Sequence, residues 1–254
     1  MTDSIADPVL TLPNGLHLSL LSRRQKGCAQ FIAKEVFRNG AYSRTGFEIR
    51  PTDIVVDIGA NIGVFALWAA PQAHEGRVIC VEPTKVIKCL ENSLANNNLS
   101  NVFIVKCAIS DQPGNLELLE YPGFNAVSHS AVFQPSGWGQ FFIKLLWRKQ
   151  QAKPLRVVCP CRTMDSILDE YNVSHVDFLK VDCEGGEYSI FDSVSTETLS
   201  RISKIAMEFH ELHPSHDHRR IVQRLREAGF RVEVKRSLFE RLFLKTGMLW
   251  ATRN

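Results

Sequence analysis

Apolar residues in this chain fall into short unbroken runs separated by longer amphipathic stretches, and the two alternate from Asp53 onward. The runs "DIVVDI", "RVICVE", "NVFIVKCAI", "VDFLKVD" and "KIAMEFHE" have the pattern of strands covered on both faces of a parallel sheet. Between them, helices are predicted over Gly63 to Ala70, Lys85 to Asn97, Met164 to Tyr171, Glu187 to Ser193 and His218 to Ala228; "NNNLS" ends the second and Gly229 stops the last. "GNLELLEY" alternates after a Gly-Asn turn and is expected as an extra strand. "FRVEVK" and "MLWATR" are two more strands, too close together for a crossover of about a dozen residues, so one of them must run antiparallel at the C-terminal edge.

Strands alternating with helices imply right-handed crossovers, a mostly parallel sheet and helices on both of its faces, an α/β fold. The expected division is an N-terminal leader and cap over 1–52, with a helical patch at Ala29 to Arg38, followed by one catalytic-type domain over 53–254. One stretch breaks the rhythm. Residues 121–160 are rich in Gly, Pro and aromatics and then turn basic, with Trp138, Phe141, Phe142 and Trp147 near Lys144, Arg148 and Lys149. An insertion of this kind is expected to be a lid over an acceptor. A weak membrane-surface contact through 138–153 and a helix packed on the domain are its two other readings.

Composition removes several function classes. The net charge is +3 over 254 residues, far from the basic stripe of a nucleic-acid binder. No apolar run approaches a membrane span, and the first residues lack the basic and apolar regions of a secretory signal. Seven scattered cysteines, several inside strand-like runs, fit a reduced cytoplasmic protein, and "CPC" at Cys159 to Cys161 reads as structural.

The candidate chemistry begins at the turn Gly59-Ala60-Asn61-Ile62-Gly63-Val64. A dinucleotide fingerprint needs glycine where Asn61 and Val64 stand, so pyrophosphate recognition is disfavoured. Glu82 closes the next strand, near the spacing of about 20 residues at which a carboxylate grips ribose hydroxyls. The expected ligand carries a ribose and no pyrophosphate, and S-adenosylmethionine is such a ligand.

At this point "VVDIGANIG", "VEP", "AIS" and "DFLKVDCEGGE" together resemble the FkbM-type family of class I S-adenosylmethionine-dependent methyltransferases, over roughly residues 42–212. The resemblance implies a Rossmann-like, seven-stranded sheet with the last strand antiparallel. It also implies methyl transfer to oxygen, typically a hydroxyl on a sugar, polyketide or other small metabolite or glycan. Carried over, it puts Asp57, Gly59, Asn61 and Gly63 around the methionine part of the cofactor, Glu82 on the ribose, and Ala108 and Ile109 against the adenine. Cys183 and Gly186 stand where the family commonly has Val and Ala.

Ligands of doubly wound sheets lie at the carboxyl ends of the strands. Asp182, Glu184 and Glu187 follow one such end, and Glu208 and His210, two apart, leave another in the same direction. Asp182, Glu208 and His210 are the expected catalytic group, with Asp182 also near the cofactor. By intrinsic pKa His210 is the preferred general base and His213 the next. Alternatively, Asp182, Glu208 and His210 hold a divalent metal that lowers the pKa of a substrate hydroxyl. Rival functions are nitrogen or RNA methylation, against which stands the absence of an "NPPY"-like loop, and a non-catalytic cofactor-binding module.

Overall fold

The computed structural model describes residues 8–120, 129–130, 155–240 and 244–253. In chain order the elements are β1 (Val9–Thr11), β2 (His17–Ser19), α1 (Lys26–Phe37), β3 (Ile54–Ile58), α2 (Val64–Ala69), β4 (Arg77–Val81), α3 (Ile87–Asn97), β5 (Val102–Val105), β6 (Ala108–Ile109), β7 (Gly114–Glu120) and β8 (His129–Ser130). They continue with β9 (Leu155–Arg162), α4 (Met164–Glu170), β10 (Val176–Val181), α5 (Glu187–Ser193), α6 (Thr196–Ser200), β11 (Ile202–His210), α7 (His218–Glu227), β12 (Arg231–Lys235) and β13 (Thr246–Thr252).

Seven strands form the central sheet in the order β12-β13-β11-β10-β3-β4-β5. β3, β4, β5, β10 and β11 are parallel. β13 runs against both β11 and β12 and lies between them, which provides the antiparallel pairing expected at this edge. From β3 the chain steps outward to β4 and β5, then returns to build β10 and β11 on the other side. The order therefore reverses between β3 and β10, the place where such sheets open a crevice at their carboxyl ends.

The unbroken apolar runs are explained by burial on both faces. One face carries α4 to α7, packed through Ile167, Phe191, Leu199 and Leu225. The other carries α1 to α3 and the β1–β2 hairpin, packed through Ala33, Leu67, Leu90 and Leu18. The leader is thus more ordered than expected: Ser93 and Asn97 of α3 accept the backbone N–H groups of Ser19 and His17 and tie the hairpin to the domain. α3 ends at Asn98 in a left-handed conformation, as "NNNLS" implied.

Two differences from the expected strands matter for the site. The run "NVFIVKCAI" is not one strand. β5 ends at Val105, and β6 leaves the central sheet to pair with β9 in a second sheet of order β6-β9-β7-β8. In addition, the end of the expected insertion is strand: Leu155–Arg162 pairs antiparallel with β7. Along β9, Cys159 and Cys161 are buried while Val158 and Pro160 face outward. Both thiols are free and lie 3.5 Å from the Leu116 and Gln112 carbonyl oxygens, as expected of structural cysteines. The lid and membrane-surface readings, with Trp138, Phe141, Phe142, Lys144, Trp147, Arg148 and Lys149, lie outside the described residues. No helix among the described residues is long and apolar enough to cross a membrane.

Candidate active site

The glycine turn sits at the reversal of strand order and is pinned from both neighbouring strands. Gly59 and Ala60 donate their N–H groups to the Val81 carbonyl of β4, at 3.0 and 3.1 Å. Asp182, just past β10, donates its N–H to Ile58 O at 3.0 Å. Gly59 has φ of 78°, and a Cβ there would lie 1.8 Å from the Asp182 carbonyl oxygen, so only glycine lets the two strand ends touch. Gly63, φ 93°, opens α2 beneath Leu90, where a Cβ would come within 2.6 Å of that side chain.

One cavity opens beside the turn. Gly59, Asn61, Glu82, Ala108, Ile109 and Asp182 all line it, so six of the residues expected at the cofactor converge. Glu82 is deeply buried and already engaged: Oε2 accepts the Asn61 N–H at 3.0 Å, and Oε1 accepts the Thr84 N–H and hydroxyl at 2.9 and 2.6 Å. Burial pushes its pKa up, against these hydrogen bonds. Three bonds leave lone-pair capacity for one further donor at Oε2. Asn61 holds φ of 52°, and its Oδ1 is buried with no hydrogen-bond partner among the described residues. The small apolar floor from β6, the engaged carboxylate and the waiting amide oxygen suit a ligand with an aromatic base and hydroxyls.

Two expected cofactor residues are elsewhere. Asp57 does not line the cavity. It is fully buried in β3 with its Oδ1 3.0 Å from Lys180 Nζ, because a strand-interior carboxylate at this register faces the helix layer and meets the lysine of β10 paired opposite it. Gly63 serves the packing of α2 on Leu90 and does not border the ligand space.

A second cavity adjoins the first and shares Gly59, Asn61, Asp182 and Glu184 with it. Its far wall comes from the leader: Phe31, Ile32, Glu35 and Val36 of α1, and Tyr42. Glu208 and His210 also line it. Asp182, Glu208 and His210 are brought together as expected, with one ligand atom of each within 4.8 Å of the others.

The surroundings of His210 weigh against its expected role as base. The ring is buried with Nδ1 3.2 Å from Glu187 Oε1, Nε2 3.5 Å from Glu184 Oε2, and Glu208 Oε1 at 4.0 Å. Burial alone would lower its pKa, but the negative charges of Glu184, Glu187 and Glu208 overcome this and hold it well above the ordinary value. The raised pKa favours the protonated ring, which has no lone pair to accept a proton. The carboxylates move instead. Burial and Asp182 raise Glu208 to about 8 against the pull of His210. Burial raises Glu184 to about 7, again with His210 opposing and Asp182 adding. His213, the second choice, lines a different cavity and hydrogen-bonds Ser215.

Tyr42, Glu35 and Thr84 were not anticipated, and Glu187 was anticipated only as an acid following the strand end. Tyr42 donates its hydroxyl to Asp182 Oδ2 at 3.3 Å, and burial holds its pKa well above the ordinary value, so it stays a donor. Glu187 is fully buried and accepts the N–H groups of Cys183 and Gly185 at 3.0 Å each, which shapes the loop after β10. Thr84 had a local signal, standing two residues after Glu82. Tyr42 and Glu35 had none, since they reach the site from the leader.

The fold and site can be set beside known proteins. The family described as Methyltransferase FkbM domain matches residues 57–232. AMB antimetabolite synthetase AmbE of Pseudomonas aeruginosa is 24% identical over 221 residues, which cover 79% of this chain and 10% of that protein. The 31-O-demethyl-FK506 methyltransferase FkbM of Streptomyces tacrolimicus is 26% identical over 215 residues, 80% of this chain and 82% of the relative. Among solved structures, methyltransferase FkbM from Methylobacillus flagellatus KT superposes with a TM-score of 0.51 at 17% identity, covering 83% of this chain and 46% of that one. This chain therefore spans a tenth of the first relative and under half of the solved one, and shares with the latter the class I methyltransferase fold.

Proposed function

The chain belongs to the FkbM methyltransferase family, and from that premise we propose that it is an S-adenosylmethionine-dependent O-methyltransferase acting on a hydroxyl of a small metabolite or glycan. The observation that carries this reading is the meeting of two cavities at shared residues Gly59, Asn61, Asp182 and Glu184. A cofactor cavity and an acceptor cavity must share a wall for a methyl group to pass. The relative named for 31-O-demethyl-FK506 supports oxygen as the accepting atom.

In this reading Gly59, Asn61, Glu82, Ala108, Ile109 and Asp182 hold the cofactor. When bound, that group supplies an electrophilic methyl on sulfur. Residues 1–52 act as a cap whose α1 closes the acceptor side. Glu208 removes the proton of the accepting hydroxyl, since its raised pKa makes its carboxylate a stronger base than an ordinary glutamate. His210, whose pKa Glu184 and Glu187 raise, orients Glu208. Most of the acceleration comes from holding hydroxyl and methyl in line.

A second reading is favoured by one observation, the clustering of Asp182, Glu208 and His210 within ligating distance. There a divalent cation would lower the pKa of a hydroxyl bound beside it. Calorimetric titration with S-adenosylmethionine, then incubation with labelled cofactor and a panel of polyols, amino sugars and macrolides, tests the main reading. Binding without any labelled product would instead mark a non-catalytic module, and label on nitrogen or RNA would replace the acceptor class. Full turnover after exhaustive chelation would remove the metal.

A further inference from the structure

Lys180 is the only lysine or arginine that is buried among the described residues. Its position in β10 puts it opposite Asp57 in β3. The ammonium lies 3.0 Å from Asp57 Oδ1, and it donates to the Gly59 carbonyl at 2.7 Å and reaches the Ile58 carbonyl at 3.4 Å. The rings of Tyr42 and Phe65 stand 5.8 and 6.0 Å from Nζ and leave it little room to move. The Ile58 carbonyl also receives the Asp182 N–H. One cation thus ties the last residues of β3 to the strand that ends in Asp182.

Those two ends are where both cavities meet. Gly59 and Asp182 are in backbone contact so close that no side chain fits between them. The Gly59 carbonyl sits in a left-handed turn at φ 78°, outside the sheet ladder. A neutral, well-packed pair would fill the same space, and such replacements of buried ion pairs are often neutral or stabilising. Stability therefore does not require a charge here.

We propose that Lys180 is a positioning residue for methyl transfer, whose ammonium fixes the Gly59 carbonyl and with it the separation of the turn from Asp182, while Asp57 serves only as its counter-charge. This rests on the cofactor reading above. The role differs from that of a structural ion pair in what must be kept. Positioning needs the donor at Nζ; a structural pair needs only matched partners.

The experiment measures melting temperature and calorimetric binding of S-adenosylhomocysteine for the wild type, Asp57→Asn, Lys180→Arg and the double variant Asp57→Asn with Lys180→Met. Wild-type titration comes first, and no binding there would overturn the cofactor reading itself. With binding established, the double variant is expected to melt close to wild type yet bind roughly 10- to 100-fold more weakly, the worth of a hydrogen bond to a charged group. Asp57→Asn, which keeps the ammonium on the carbonyl, is expected to bind within about threefold of wild type. Lys180→Arg is expected to recover part of the affinity that the double variant loses. Wild-type affinity in the double variant would overturn the proposal. Should the double variant fail to fold, Asp57→Asn decides: a loss of affinity beyond tenfold there would show that the pair, and not the donor, matters.

Discussion

Glu82, buried, and Glu208, half-buried, are carboxylates on the walls of two adjoining cavities, yet they are built in opposite ways. Glu82 is held by three donors from residues within its own βα turn and the glycine turn beside it. Glu208 has another carboxylate, Asp182, pressing on it and the His210 ring 4.0 Å away. The proposed cofactor half is a backbone cradle whose carboxylate is already satisfied, with the Asn61 Oδ1 left for a ligand. The acceptor half is a crowd of ionisable side chains whose protons are shared. Rigid, satisfied groups suit holding a constant ligand, and poised groups suit moving a proton.

The contrast can be broken from either side. The largest effect is expected in the acceptor half: Glu208→Gln should lower kcat by about 10²- to 10⁴-fold, the usual worth of a general base, with cofactor affinity unchanged by calorimetry. An equal loss of cofactor affinity would erase the distinction between the halves. Next in size is the cradle. Gly59→Ala puts a methyl against the Asp182 carbonyl, and cofactor binding should weaken by on the order of 100-fold, about 2.7 kcal/mol.

A pH series sharpens the comparison further. Glu184 and Glu208, raised to about 7 and about 8, become carboxylates only as pH rises. Turnover should therefore climb through pH 7 to 8 and lose that limb in Glu208→Gln. Stability should move the other way. Carboxyls whose folded pKa is raised stabilise the protein fully below their ordinary value of 4.5 and lose that contribution as pH rises through about 7 to 8. His210, also raised, loses its contribution above its ordinary 6.5 in the same direction. In chelated protein the melting temperature should fall between pH 5 and pH 8.5, and a flat profile would contradict the charge crowding. The smallest effect belongs to Thr84→Val, which removes one of two Thr84 bonds to Glu82. It should weaken cofactor binding by roughly fivefold, about 1 kcal/mol.

Legibility follows the same divide. The glycine turn and Glu82 were readable because each sits at a strand end whose position follows from local pattern, whereas Ala108 and Ile109 came from the family resemblance. Cys183 and Gly186, which stand where the family commonly has Val and Ala, line the first cavity. The split of β5 from β6 was hidden, because Lys106 and Cys107 interrupt the ladder without any glycine or proline to mark it. β9 was hidden by Pro160, tolerated because its position opposite Asn115 is exposed. Asp57 misled for a related reason: it closes an apolar run, and nothing nearby in sequence announces Lys180 as its partner.

By itself the sequence determined the α/β class and the succession of strands and helices, since apolar periodicity and turn chemistry act over a few residues, while the family resemblance supplied the expected cofactor residues. Only the tertiary structure decided which groups carry charge. His210 has a raised pKa, Glu208 a raised carboxyl pKa and Lys180 a buried counter-charge because residues far apart in the chain are brought within about 4 Å of one another, where burial makes a Coulomb interaction several times its strength in water.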